Sequence, residues 1–333
     1  MRSPAVKCVN VLVMLMAGVL LAASTAALAI DYSRPVNAAP VEKDIGGGYK
    51  TPPVQVPLPR AGWWLLVDVL ALAGSLGLVT WIVLVQRSRG WLATLTIACL
   101  AYFGFYRKGC VCPIGSIQNV ATSLTDPSYA LPWVVLAFFF LPLVFALFFG
   151  RVFCGGVCPL GGIQDLVLLK PVQVPWRVDR VLGWLKYVYL VLAIVYAVRP
   201  PLHRDFIICR FDPFVGFFRL TGPGYMLLIG GGLLVASMFV GRIYCRYLCP
   251  YGALLAIVSR LSWRGVSITP DKELDCGLCS HACPYGAIEK MRAVRTSCLY
   301  CARCYRSCPR QQLPNPGSVA SSLPVVQSAE VHS

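Results

Sequence analysis

Histidine is nearly missing from this chain. His203, His281 and His332 are the three in 333 residues, and none falls within an apolar run, which excludes a transmembrane haem pair held by two histidines each. Charge is scarce as well. Only 13% of the residues are Asp, Glu, Lys or Arg, and the 14 acidic residues face 30 basic ones. There is no glycine-rich strand-to-helix fingerprint for a dinucleotide and no phosphate-binding loop, so nucleotide chemistry of either kind is not built in. The apolar runs hold almost no ionisable residues except Asp68 and Lys186 near their ends, which argues against a transporter. A formal charge of +16 does not point to nucleic acid in a chain this apolar.

What the chain has in abundance is hydrophobic sequence. At 57% hydrophobic residues and a mean hydropathy of +0.67, it reads as an integral membrane protein. Residues 1–29 carry Arg2 and Lys7, an apolar run from Val9 to about Ala23, and Ala27-Leu28-Ala29, the layout of a signal peptide or an N-terminal anchor. Residues 30–62, with three glycines at 46–48 and Pro52, Pro53, Pro57 and Pro59 close behind them, read as a periplasmic linker. Five apolar runs follow, near 63–85, 91–106, 131–149, 181–199 and 223–240. Most approach the roughly 20 residues that cross a bilayer core of roughly 30 Å. The expected architecture is therefore an all-α helical bundle of about five transmembrane helices over 63–265, a small α+β bacterial-ferredoxin-like domain over 266–310 and a disordered tail over 311–333. The basic residues favour an arrangement with 86–90, 150–180 and everything after 241 in the cytoplasm, and 107–130 and 200–222 outside. That places the chain in a bacterial inner membrane. Arg292, Arg295, Arg303, Arg306 and Arg310 give the last module a basic face, suited to anionic lipid or an acidic redox partner.

The 16 cysteines carry the chemistry. Disulfide frameworks need no fixed short register, whereas cluster ligation does. Cys298, Cys301, Cys304 and Cys308, with Pro309, follow the C-x2-C-x2-C-x3-C-P run of a bacterial ferredoxin, in which three close thiolates hold one [4Fe–4S] cluster and the fourth reaches a second. Cys276, Cys279 and Cys283, with Pro284, supply the last three ligands of a second such run, and Glu273 stands in the slot of the first. Cys283 should join Cys298, Cys301 and Cys304 in a complete site, while Cys276, Cys279 and Cys308 form an incomplete one. The incomplete site can be a three-iron cluster, can take an oxygen ligand from Glu273 or Asp275, or can borrow a cysteine from elsewhere. Upstream, RVFCGGVCPLGGIQD at 151–165 and RIYCRYLCPYGALLA at 242–256 share R-x-aromatic-C-x3-C-P-x-G, each directly after an apolar run. Cys154, Cys158, Cys245 and Cys249 thus offer four thiolates for one further cluster between two repeats. A broken third copy, RKGCVCPIGSIQN at 107–119, brings Cys110 and Cys112, and Cys209 lies on the same expected outer side. These three either hold an outer cluster, with Asp212 or His203 as a fourth ligand, or form a disulfide. Cys8 and Cys99 read as structural.

These motifs together resemble the membrane iron–sulfur proteins of the NapH/NosR type, associated with periplasmic nitrate reductase and nitrous-oxide reductase systems. The resemblance covers roughly 91–310 and rests on Cys154/Cys158, Cys245/Cys249 and the C-terminal double-cluster module. It implies electron transfer between quinol or an acidic cytoplasmic donor and a periplasmic reductase or partner. The chain departs from the type in lacking one ferredoxin cysteine, in an exported part too short for the flavin-binding domain of NosR, and in the extra pair Cys110/Cys112. The expected role is a relay that is part of a respiratory oxidoreductase, with quinone as one candidate stop. The rival role is a membrane redox sensor or assembly factor, suggested by the incomplete site.

Overall fold

The structure is a computed structural model, and it describes residues 62–107, 113–127, 129, 131–169, 171–172, 174–199, 212–219, 224–266, 268, 277–289 and 292–308. The expectations for the signal region, the linker and the tail lie outside these residues.

The first helical hairpin follows directly from composition. Helix α1 (Gly62–Trp81) continues through a π-helical turn to Gln86, and α2 (Arg89–Cys99) continues through another to Tyr106. Between them Arg87 takes a left-handed conformation (φ 56°), and the Ser88 hydroxyl accepts a hydrogen bond from the Trp91 amide at 3.5 Å. At the far end Asp68 is fully buried: its Oδ2 forms an ion pair with Arg107 Nη2 at 2.6 Å, and its Oδ1 accepts from Tyr102 Oη at 2.8 Å. The one acidic residue inside the first apolar run is therefore the clamp that ties α1 to α2. Helix α3 (Pro113–Thr125), α4 (Trp133–Phe149), α5 (Pro159–Leu166), α6 (Trp176–Val198), α7 (Pro213–Arg219), α8 (Gly224–Ser237) and α9 (Pro250–Val258) complete the bundle. Helix α3 runs along the second half of α6, where Gln118 Nε2 donates to the Ala193 carbonyl at 3.3 Å and Thr122 Oγ1 to that of Ala197 at 3.1 Å.

Two helices, 62–86 and 177–198, are long and apolar enough to cross a membrane, and Trp133–Phe149 and Met226–Ser237 are shorter apolar helices. Their outward faces stay apolar: on α6 alone Val181, Trp184 and Val191 are 72%, 67% and 58% exposed. In water such a face would be a large hydrophobic patch, whereas against lipid it carries no penalty. Of the segment 200–222, expected to lie outside, the described residues 212–219 do not stand clear of the bundle. Asp212 is buried with Oδ2 2.9 Å from Tyr244 Oη, one residue from Cys245, and α7 packs along α8. Hydropathy cannot reveal a stretch that folds back into protein, because it reads only runs long enough to span.

The C-terminal module consists of α10 (Leu278–Ala282), an antiparallel pair β1 (Ile288–Glu289) and β2 (Arg292–Ala293) with Ile288 opposite Ala293, and α11 (Arg303–Ser307). It is not tethered beside the bundle. Val83, Phe149, Val152, Tyr285, Leu299 and Tyr300 belong to a single apolar core that runs from the helices into the module.

Candidate iron–sulfur centres

The two C-x3-C-P motifs fold alike residue by residue. In each, the first cysteine sits in one turn of π-helix, Phe153–Val157 or Tyr244–Leu248, and the second caps a helix with extended backbone, φ −65° ψ 117° at Cys158 and φ −66° ψ 112° at Cys249. The next residue, Pro159 or Pro250, opens that helix; its ring fixes φ and its missing N–H costs nothing there. The Cys158 amide donates to Phe153 O at 3.0 Å, and the Cys249 amide to Tyr244 O at 2.8 Å. Single π turns of this kind are rare and collect at functional sites.

The motif arginines cross over. Arg242 donates to the carbonyls of Cys154 and, at 3.1 Å, Gly155, and a Cβ placed on Gly161 would meet its Nη1 at 3.3 Å. Arg151 stands equivalently over the other repeat, where a Cβ on Gly252 would meet its Nη2 at 3.2 Å. The glycine of each C-P-x-G thus leaves room for the arginine of the other repeat. Both arginines are almost wholly buried, 2% and 0% exposed. Cys154, Cys158, Cys245 and Cys249 are buried free thiols within electrostatic reach of one another and of these cations. Gln164 joins the repeats as well: Nε2 approaches Cys245 Sγ at 3.8 Å, and Oε1 accepts from the Tyr244 amide at 3.0 Å.

The module repeats itself in the same manner. Gly277 (φ 68°) and Ala302 (φ 60°), each following a ligand-run cysteine, are left-handed caps of the five-residue helices α10 and α11. Both helices end on a cysteine in the same conformation, Cys283 and Cys308. Cys283, Cys298, Cys301 and Cys304 line one narrow cavity walled by Val83, Ile288 and Leu299. These are the four expected to form the complete site. Burial pushes the Cys298 thiol up to about 12 and raises Cys304 as well, so neither ionises without a cation beside it. Iron would supply that charge, and ligation would then release the protons. Among the described residues no three His, Cys, Asp or Glu groups close around one ion. Four thiolates that each take a different iron of a cube form a wider set than the ligands of a single ion. Of the incomplete site, Cys279 and Cys308 are described; Cys276, Glu273 and Asp275 lie outside the described residues, as do Cys110, Cys112, Cys209 and His203. Asp212 has both oxygens engaged, by the Phe214 amide at 3.0 Å and by Tyr244.

The two groups of thiols abut. A Cβ on Gly155 would stand 3.0 Å from the Tyr300 carbonyl, so the residue after Cys154 touches the residue before Cys301. Around that contact Asp165 forms a hub that cysteine spacing could not show. Its carboxylate receives Arg89 at 2.5 Å, Arg303 at 3.2 Å, Arg242 at 3.5 Å and the Tyr285 hydroxyl at 3.0 Å. Arg89 Nη1 also donates to Cys301 O at 2.8 Å, and Arg151 Nη1 to Thr296 O at 2.9 Å. Burial alone would raise the Asp165 carboxyl, but Arg242, then Arg89 and Arg303, hold it well below the usual carboxylate range. Arg303, expected on a basic outer face, is turned inward by this contact. The only sequence sign was a lone acid closing the motif VCPLGGIQD.

Residues 131–174, 223–268 and 279–293 match the family described as a 4Fe-4S binding domain, segments that take in both C-x3-C-P motifs and the first half of the module. The chain is 31% identical over 217 residues to YccM of Escherichia coli (strain K12), a protein named for electron transport, covering 59% of this chain and 60% of YccM. It is 31% identical over 260 residues to protein NirI of Paracoccus denitrificans, covering 72% of this chain and 37% of NirI. To the regulatory protein NosR of Pseudomonas aeruginosa it is 30% identical over 252 residues, 66% of this chain and 32% of NosR. The kinship with the NapH/NosR-type iron–sulfur proteins is borne out. The chain spans less than two thirds of the length of these three relatives, and no solved structure matches it. In this chain the two C-x3-C-P turns pair through their crossed arginines, which gives the pairing a physical cause.

Proposed function

We propose that this chain is a membrane iron–sulfur relay, which passes electrons between a cytoplasmic donor or the quinol pool and a periplasmic reductase or partner. The contact between Gly155 and Tyr300 carries this reading, because it sets the C-x3-C-P thiols and the complete ferredoxin-type thiols back to back within one core. Cys283, Cys298, Cys301 and Cys304 would hold one [4Fe–4S] cluster, and Cys154, Cys158, Cys245 and Cys249 another; when bound, such clusters supply one-electron redox chemistry. The protein's own residues do the rest. Arg151 and Arg242 offset the negative charge of the four bundle thiolates, and buried aromatic residues keep water away. Asp165, with Arg89 and Arg303, fixes the module against the bundle so that the gap between the two sets stays constant. The two apolar spans and the lipid-like outer faces support multi-pass insertion in an inner membrane with the module in the cytoplasm.

The test is anaerobic purification with iron and sulfide counts and EPR at stepped potentials. The relay requires two or more clusters that reduce and reoxidise repeatedly with constant iron, and Cys301→Ser should remove one species while the others persist. A second reading, a redox-sensing regulatory factor, is favoured by the name of NosR, a regulatory protein. Iron loss on each oxidation cycle would select it.

A further inference from the structure

Neither group of thiols uses a second, open cavity at the surface of the described residues. A cavity of about 670 Å³ opens between the first half of α6, the second motif and the C-terminal module. Five cations line it, Arg151, Arg180, Lys186, Arg246 and Arg260, against two carboxylates, Asp179 and Glu289. Asp179 is already engaged, by Arg246 Nη2 at 2.7 Å and the Tyr247 hydroxyl at 2.8 Å. Two buried donors on this wall, Arg151 Nε and Arg246 Nη1, have no hydrogen-bond partner among the described residues. Arg151 is 2% exposed, a charged side chain held almost wholly inside the protein at the wall of the cavity. A buried donor on a charged group is costly to leave unmet, and an anion with several oxygens meets two such donors at once.

The cavity is not polar throughout. Trp184 and Ile257 also line it, and from Trp184 the exposed apolar face of α6 continues through Val188 and Val191. A ligand seated here would meet cations at one end and a lipid-like helix face at the other. Tryptophan and arginine at such a border are what an interfacial headgroup finds. We propose that this cavity binds the phosphate headgroup of an anionic phospholipid, with the acyl chains lying along α6. The headgroup would bridge α6 through Arg180 and Lys186, the second motif through Arg246, the turn after α9 through Arg260, and the module at Thr296 and Ser297. This inference rests on membrane placement and not on electron transfer, so it stands or falls separately from the relay.

The experiment uses the full chain, purified with its clusters and reconstituted in discs of phosphatidylcholine alone or mixed with phosphatidylglycerol. Native mass spectrometry should find phosphatidylglycerol retained after phosphatidylcholine has been stripped, and the melting temperature should be higher in the mixed discs. Arg180→Gln with Arg260→Gln, both at exposed positions, should abolish the selective retention and the melting difference while iron content and melting in phosphatidylcholine stay unchanged. If the double variant loses iron, Lys186→Gln replaces it with the same expected loss. Equal retention of the two lipids overturns the proposal, as does wild-type retention by the variants. If inorganic phosphate reproduces the stabilisation in phosphatidylcholine discs, the site takes free phosphate and the lipid assignment is wrong.

Discussion

Asp165 shows how much one side chain can organise. Its oxygens meet three arginines and a tyrosine drawn from α2, the second motif and the module. Substituting Asn keeps the shape and removes the charge, leaving Arg242, with no exposure, without its counter-charge. Breaking a buried pair in this way costs about 3–5 kcal/mol. Asp165→Asn should therefore lower the melting temperature and expose the module to limited proteolysis, with the bundle intact. The pH dependence has a definite sign. The folded-state carboxyl is held below its ordinary value, so its contribution is complete above the unfolded value, about 3.9, and is lost as pH falls through the folded one. The gap between wild type and Asp165→Asn should be constant from about pH 5 to pH 8 and shrink only below about pH 4. A gap that closes near neutral pH would contradict the assignment, and melting curves of both proteins across that range decide it.

At the scale of elements, the question is whether two matched turns make one site or two. The arginine of each repeat lies over the C-P-x-G glycine of the other, which requires the turns to face each other. If they share a cluster, Cys154→Ser and Cys245→Ser should each remove the same EPR species, and the double variant should lose no more of it, since residues acting as a unit are not additive. Additive loss of two species would separate the sites. The contact between turn and module makes a further prediction. Adding a Cβ at Gly155 brings it to 3.0 Å from the Tyr300 carbonyl, backbone that cannot rotate away. Gly155→Val should displace the module, slowing electron exchange between the two cluster species while both remain countable as iron. Unchanged exchange in freeze-quench EPR would show that this junction does not set the gap.

The same elements show what the sequence could reveal. Cysteine ligands announce themselves because a cluster draws several thiolates from a short register, so Cys298, Cys301 and Cys304 are legible as a set and the repeated C-x3-C-P pairs are legible as partners. Asp165 was not, because Arg89, Arg242 and Arg303 lie 76, 77 and 138 residues away and nothing local selects them. The hairpin of α1 and α2 and the long helix α6 were readable from hydropathy. The return of Asp212 to the side of Tyr244 was not, since a buried polar contact leaves no mark in the hydropathy of its segment.

The whole molecule sets a final constraint through its sidedness. Arg87 lies over the Tyr305 ring, 5.4 Å from its centroid, and Arg89 and Arg151 bond to module carbonyls. The module therefore sits at the end of the bundle where α1 ends and α2 begins. At the opposite end Asp68 and Arg107 close the same hairpin. Basic residues of 86–90 and of 150–180 share the module's end, which favours the cytoplasm. A reporter active only in the periplasm, fused after Arg310, should be silent, and a cytoplasmic reporter at the same point should be active. Because the module shares one core with the bundle, the two groups of thiols cannot lie on opposite faces. A periplasmic signal from that fusion would move both of them together to the outer face, and would reverse the direction in which a relay could connect a cytoplasmic donor to an exported partner.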